Sequence, residues 1–426
     1  MRRIRFLARQ LDYDFATGLL VRPGLWIGSL AVAAVVLPPL ELRYAPGVSK
    51  FLATEPSSAQ VVLGTLAGSM MSVIGVVYSI LLVALSLASM QFSTRILAGM
   101  TRDRVAQNTL GIFIGTFIYC LLVLRAVHTD PAPLVPGIAY AGALVLALSA
   151  LASLVYFIHH IVQTIQANHL VSRIANETVT VIDHVFAATL AGGEEAVDAH
   201  IPPIPAGATM VLAPSSGYVP LIDVEGLKAV AARGFHVHLL RSMGAFVTEG
   251  LPLLAISPAP GPGDINAALA AVDLGVVRTM QQDVEFGIRQ IVDISLKAVS
   301  PAVNDPSTAV TCVDHLGRLL VRLAPRRPLP AMHGDVVVPP TTHADLIDLC
   351  FEQLRQYTRT DMAVSLRIMR VLGEVASVTR HPVARARLAL HGRLIDDAMR
   401  ATFAPVDCEE LGRRRAILEG HAPSAT

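Results

Sequence analysis

The chain is short of charge, of lysine and of cysteine, and it carries no catalytic signature; each shortage excludes something. Charged residues fill 16% of its 426 positions against 53% for hydrophobic ones. The mean hydropathy of +0.54 is too high for an ordinary soluble protein of that length. A net charge of +1 leaves no electrostatic footprint for nucleic acid, and none is expected as a partner. Lysine occurs only as Lys50, Lys228 and Lys297, so nearly all the positive charge is arginine, a bias that a GC-rich genome explains without function. Cys120, Cys312, Cys350 and Cys408 lie far apart, which indicates neither a disulfide framework nor a zinc site. No phosphate loop, Gly-x-Ser-x-Gly elbow, His-Glu-x-x-His or Cys-x-x-Cys is present, and the chain is expected to be no enzyme and to need no cofactor or metal.

What is present is apolar length. Trp26 to Leu42, Val61 to Met90, Gly111 to Val127 and Leu134 to Ile161 are each near or above the roughly 17–25 residues that a helix needs to cross hydrocarbon. No run of that kind follows. The expected fold class is therefore an α-helical integral membrane protein with four transmembrane helices and a C-terminal α+β cytoplasmic domain. Arg2, Arg3, Arg5, Arg9 and Arg22 precede the first run, and Arg95, Arg102 and Arg104 lie between the second and third. Positive charge is retained on the cytoplasmic side, so both termini are expected there. The first run starts late and lacks a small-residue cleavage site, so it reads as a retained anchor rather than a secretory signal.

The second run carries an unusual pattern. Thr65, Ser72, Ser79, Ser86 and Ser93 recur at intervals of seven, with Gly68, Gly75 and Ser89 on the adjacent row. Such a stripe serves either close helix packing, since small residues let backbones approach, or the wall of a pore in a homo-oligomer. Mid-membrane acids and histidines, which coupled carriers use, are missing from all four runs. Glu41 and Arg125 stand at the outer ends of the first and third. His159 and His160 close the fourth; adjacent on a helix, they point about 100° apart and form no preformed metal pair, so they are interface anchors or a pH-sensitive gate.

Five segments are expected: residues 1–165 as the transmembrane domain, 166–208 as a helical extension and linker, 209–258 as a small β unit, 264–410 as a mostly helical region and 411–426 as a mobile tail. The extension continues the fourth helix to about Leu190. In the β unit, glycines punctuate alternating strands. Residues Gly244 to Leu254 resemble the Gly-x-x-Val-x-x-Gly-x-Pro-Leu hairpin of barrel-sandwich folds, but Lys228 falls in a helical stretch, which excludes a swinging-arm cofactor. His236 and His238 share a strand face, with no third ligand placed by spacing.

In the helical region Glu285, Arg289, Asp293 and Lys297 lie four apart with alternating sign, a ladder of ion pairs that serves packing or a subunit interface. Asn304 and Asp305 precede Pro306, the form of a helix cap; with Asp314 and His315 nearby the same turn offers ligand atoms. A helix is expected from Thr341 to about Leu372.

Ser89 to Arg95 with Asp103, Arg104 and Gln107, Leu110 to Phe117, Tyr156 to His160, Gly287 to Ile294 and Ser300 to Pro306 together resemble a family of uncharacterised bacterial membrane proteins, domain of unknown function 2254. The resemblance covers most of the chain. It implies an integral inner-membrane protein and supplies no catalytic residues. Two functions then compete: an oligomeric ion channel or conductance regulator whose second span lines the path, and a membrane-anchored scaffold or sensor whose cytoplasmic domain binds a protein partner. Membrane lipid and further copies of the chain are the other expected partners.

Overall fold

The structure, a computed structural model, describes residues 21–91, 103–128, 134–186, 201–280, 282–327 and 332–420. Ser93, the basic flank Arg2 to Arg9, Arg95 and Arg102, most of the linker and residues 421–426 lie outside that set. Two compact units divide the chain, Met1–Gln166 and Ala167–Thr426.

The first unit is helical: α1 (Val21–Tyr44), the short α2 (Pro46–Leu52), α3 (Pro56–Gln91), α4 (Arg104–Ala126) and α5 (Gly137–Ile165). All but α2 are long and apolar enough to span a membrane. Helix α4 is the centre, with contacts to α1, α3 and α5; half of its apolar window is buried against 17% in each of the others. Glycine makes that centrality possible. A Cβ on Gly111 would lie 2.9 Å from Trp26 Cδ1, and one on Gly115 would lie 2.6 Å from Leu30 Cδ1, so α1 approaches α4 where no side chain intervenes.

The second unit opens with α6 (Ala167–Val185). Helix α5 does not continue into it as expected, because Gln166 takes an extended backbone with ψ 122°. Leu170, Val171, Ile174, Ala175, Thr178 and Ile182 are the buried face of α6, the spacing of an amphipathic helix against a core. Next come β1 (Thr209–Leu212), β2 (Gly217–Tyr218), α7 (Val224–Ala231), β3 (His236–Leu239), β4 (Phe246–Val247), β5 (Pro252–Ser257) and α8 (Pro262–Leu269). The chain goes on through α9 (Val284–Ala298), α10 (Pro306–Leu323), β6 (Met332–His333), β7 (Val336–Val337), α11 (His343–Tyr357), α12 (Met362–Val378), α13 (Pro382–Arg400) and α14 (Glu409–Gly420).

The strands form a five-stranded sheet in the order β1-β5-β3-β7-β6, beside a two-stranded ribbon of β2 and β4. Strand β7 joins β3 in parallel, so the sheet of residues 209–258 is completed by a hairpin that turns through Gly334 much later in the chain. This order carries the strands and turns expected here, and not the barrel-sandwich detail. Val211, Leu227, Val237, Leu253, Leu254 and Ile256 fill its core. Lys228 lies on α7, paired with Glu225 at 2.8 Å.

Two sequence expectations change. The helix from Thr341 to Leu372 is two helices, because Asp361 caps a new start by accepting from Val364 N at 3.0 Å. The stretch 411–426 is not a mobile tail throughout. Its first half belongs to α14, which Arg415 fastens to α13 by donating to the carboxylate of Asp396 at 2.8 Å. Asp396 is 1% exposed, so a composition that suggests a solvated segment hides a buried anchor.

Candidate functional site

Span-two residues Thr65, Ser72, Ser79 and Ser86 are all exposed on α3 within their own unit, and Gly64, Gly68 and Gly75 have open space where a side chain would stand. Among the described residues no helix of the first unit covers the stripe. Ser72 and Ser79 meanwhile satisfy their hydroxyls within α3, donating to Gly68 O at 3.2 Å and Gly75 O at 2.9 Å, the back-bonding that serine uses in a helix.

At each end of the first unit an acidic side chain serves a helix N-terminus. Asp103 caps α4, accepting from Val105 N at 2.6 Å, and its second oxygen meets His160 Nε2 at 2.6 Å. His160 also stacks on Tyr156. His159 is exposed and meets Gln163 at 3.0 Å, so the two histidines diverge as their adjacency requires. Glu41, 3% exposed, accepts from Ala139 N at 3.0 Å and from Ser49 at 3.4 Å. A buried carboxylate thus replaces the cap that Pro136 does not provide for α5, in the field that favours an anion there.

In the second unit the expected ladder resolves differently at each member. Arg289 and Asp293 pair at 3.2 Å, and Lys297 is exposed. Glu285 turns to Thr341, whose hydroxyl donates at 3.0 Å, and to Arg278 at 3.8 Å; burial pushes its carboxyl above the usual range, with Thr341 opposing. Asp305 caps α10, accepting from Thr308 N at 3.1 Å, and Asn304 supplies the left-handed turn at φ 49°. Asp314 is bound to Arg367 on α12. His238 is buried and His236 exposed, the latter against Asp335 at 3.1 Å. Among the described residues no three His, Cys, Asp or Glu side chains gather as a metal site.

Sequence reasoning missed a cavity of about 410 Å³. Its walls come from the end of α6 (His184, Phe186), the β unit (Ile222, Val224, Met243), the start of α9 (Gln282, Asp283) and the segment from His333 to Thr341. Asp283, 3% exposed, caps α9 through Phe286 N at 2.9 Å. It also takes a two-point fork from Arg278, at 2.8 Å from Nε and 2.9 Å from Nη2, the strong geometry of guanidinium and carboxylate. Gly244, at φ 73°, passes so close that any Cβ would collide with both members of the fork. Burial pushes the His333 imidazole below its ordinary value, with Lys228 adding to the shift.

A second buried cluster lies deeper. His343 and His381 stack with ring centroids 3.8 Å apart, and their Nε2 atoms meet Leu323 O at 3.1 Å and Arg326 O at 3.0 Å. Burial first, then His381, lowers the His343 pKa to about 4.

Four apolar spanning helices in one unit and a helical unit with a small sheet in the other define an integral membrane protein. The chain belongs to the family described as Predicted membrane protein (DUF2254), which matches residues 16–374. Uncharacterized protein Mb1321c of Mycobacterium bovis and Uncharacterized protein Rv1290c of Mycobacterium tuberculosis are each 32% identical to it over 390 residues, which is 87% of this chain and 73% of theirs. No solved structure matches the chain.

Proposed function

We propose that the chain is a non-enzymatic subunit of a homo-oligomeric ion channel or conductance regulator of the bacterial inner membrane, with both termini cytoplasmic and the stripe of α3 lining the path. The observation that supports this reading is the exposure of Thr65, Ser72, Ser79 and Ser86 beside glycines that face open space. Lipid tails gain nothing from hydroxyls and small residues on a helix, whereas a second helix or a file of water does. Helix α3 carries no charged residue along its 36 positions, which suits passive flow better than coupled pumping. The test combines assembly and flux for the full chain in liposomes. Ser79→Leu and Ser86→Leu should each lower ion flux about tenfold or more, with the number of subunits by mass photometry unchanged. A monomer, or full flux through both variants, would overturn the reading. Either result would favour the membrane-anchored scaffold or sensor, for which Phe246 at 57%, Val276 at 91% and Val277 at 63% exposure offer an apolar corner to a protein partner.

A further inference from the structure

We propose that the cavity of the second unit is a binding site for a small uncharged organic molecule, mostly apolar and carrying one hydrogen-bonding group. The argument is independent of whether α3 lines a path.

Size comes first. At about 410 Å³ the cavity falls in the range of small-molecule sites, roughly 300–1,000 Å³. Its walls have the composition such sites share, apolar surface with a few convergent polar groups. Phe186, Ile222, Val224, Met243 and Val338 give the apolar surface, and His184, His333, Gln282 and Thr341 give the polar groups.

Charge decides the ligand class. Asp283 is the only carboxylate among the described lining residues, and it is already committed to the Arg278 fork and to Phe286 N. A cationic ligand would have to displace a guanidinium held at two points, and an anionic one would meet that carboxylate with no lysine or arginine among the described lining residues. Burying either ion without a partner is costly. An uncharged molecule avoids both penalties. Gln282 commits its carbonyl oxygen to Ile222 N at 3.4 Å, so what it has left to offer is the NH2 donor pair. Thr341 gives its proton to Glu285 at 3.0 Å and keeps an acceptor lone pair.

The floor is also built in advance. Cap, fork and left-handed Gly244 hold the start of α9 in one arrangement, which lowers the ordering cost of binding.

The experiment uses the full chain in nanodiscs with a neutral photoreactive probe, a benzyl alcohol bearing a trifluoromethyl diazirine, and the matching benzoic acid as the charged control. Crosslinked peptides are mapped by mass spectrometry. The alcohol should label saturably the peptides that carry Met243 and residues 332–341, about tenfold more than the benzoate does. Val224→Trp, which fills the cavity, should reduce that labelling about tenfold while labelling of the spanning helices, the expected lipid-phase background, stays constant. Gln282→Leu guards against a folding failure in the first variant: it removes the NH2 donor, so it should weaken labelling by the alcohol and spare that of the analogue with methyl in place of hydroxymethyl, which has no oxygen for that donor to meet and keeps its apolar contacts. Labelling that never saturates, equal labelling by benzoate, or labelling indifferent to both substitutions would overturn the proposal.

Discussion

The stacked pair His343 and His381 shows how much one buried residue can decide. With ring centroids 3.8 Å apart and the His343 pKa lowered to about 4 from 6.5, the folded chain keeps His343 neutral where the unfolded chain takes a proton. The unfolded state therefore binds more protons below 6.5, and stability, present in full above that pH, is lost as pH falls towards 4. The gap is worth on the order of 3 kcal/mol. Burial lowers His238, His315, His333 and His391 as well, and these act in the same direction. His343→Phe should cost about 1 kcal/mol at neutral pH through loss of the bond to Leu323 O, and should flatten the fall of thermal midpoint between pH 6.5 and 4 without abolishing it. An unchanged slope would show that His343 titrates in both states alike. None of this was visible in the sequence, where the two histidines stand far apart and each merely precedes a helical stretch.

At the scale of elements, the helices were legible wherever one face decides them. The four spanning helices follow from apolar length alone, and the cap at Asp305 falls where Asn304 and Asp305 precede Pro306; the Asp103 cap came only from the structure. The every-fourth spacing of Glu285, Arg289, Asp293 and Lys297 marked α9 correctly as a helix, yet their partners were not legible, because Arg278 and Thr341 reach Glu285 from other elements. The break between α5 and α6 is not legible for a related reason: nothing in Gln163 to Ala167 announces a stop, and Gln166 lies at the division between the two units. Helix packing turns on glycine in the same element-level way. Gly115→Leu should push α1 from α4, since even a Cβ would lie 2.6 Å from Leu30 Cδ1 and 3.3 Å from Trp26 O. The expected cost is about 1–3 kcal/mol, read as faster proteolysis of the detergent-solubilised chain, whereas Gly75→Leu, with open space around it, should leave proteolysis unchanged in a monomer. If the two variants are equally stable, the close approach of α1 and α4 is not what holds the first unit.

The whole molecule sets the limit of sequence reading most clearly at the cavity. Its walls come from α6, the β unit, α9 and the segment after β6, so no local spacing could have joined His184 to Gln282 or His333, whereas the α3 stripe is one helix and announces itself. Two units with separate cores also carry a prediction about the full chain. Trp26 is the single tryptophan and packs beside Gly111 in the first unit, so its fluorescence reports that unit alone. The histidines whose protonation burial opposes, His238, His315, His333, His343 and His391, all belong to the second. Acidification from pH 6.5 towards 4 should therefore lower the thermal transition of the second unit, read as the acid-sensitive part of the far-ultraviolet dichroism that both units contribute, by about 2–4 °C for each kcal/mol lost. The Trp26 transition should stay in place, because two units with their own cores need not melt as one. A Trp26 transition that moves in step with the dichroism would mean that the units unfold as a single cooperative body, and that protonation in one is felt across the other.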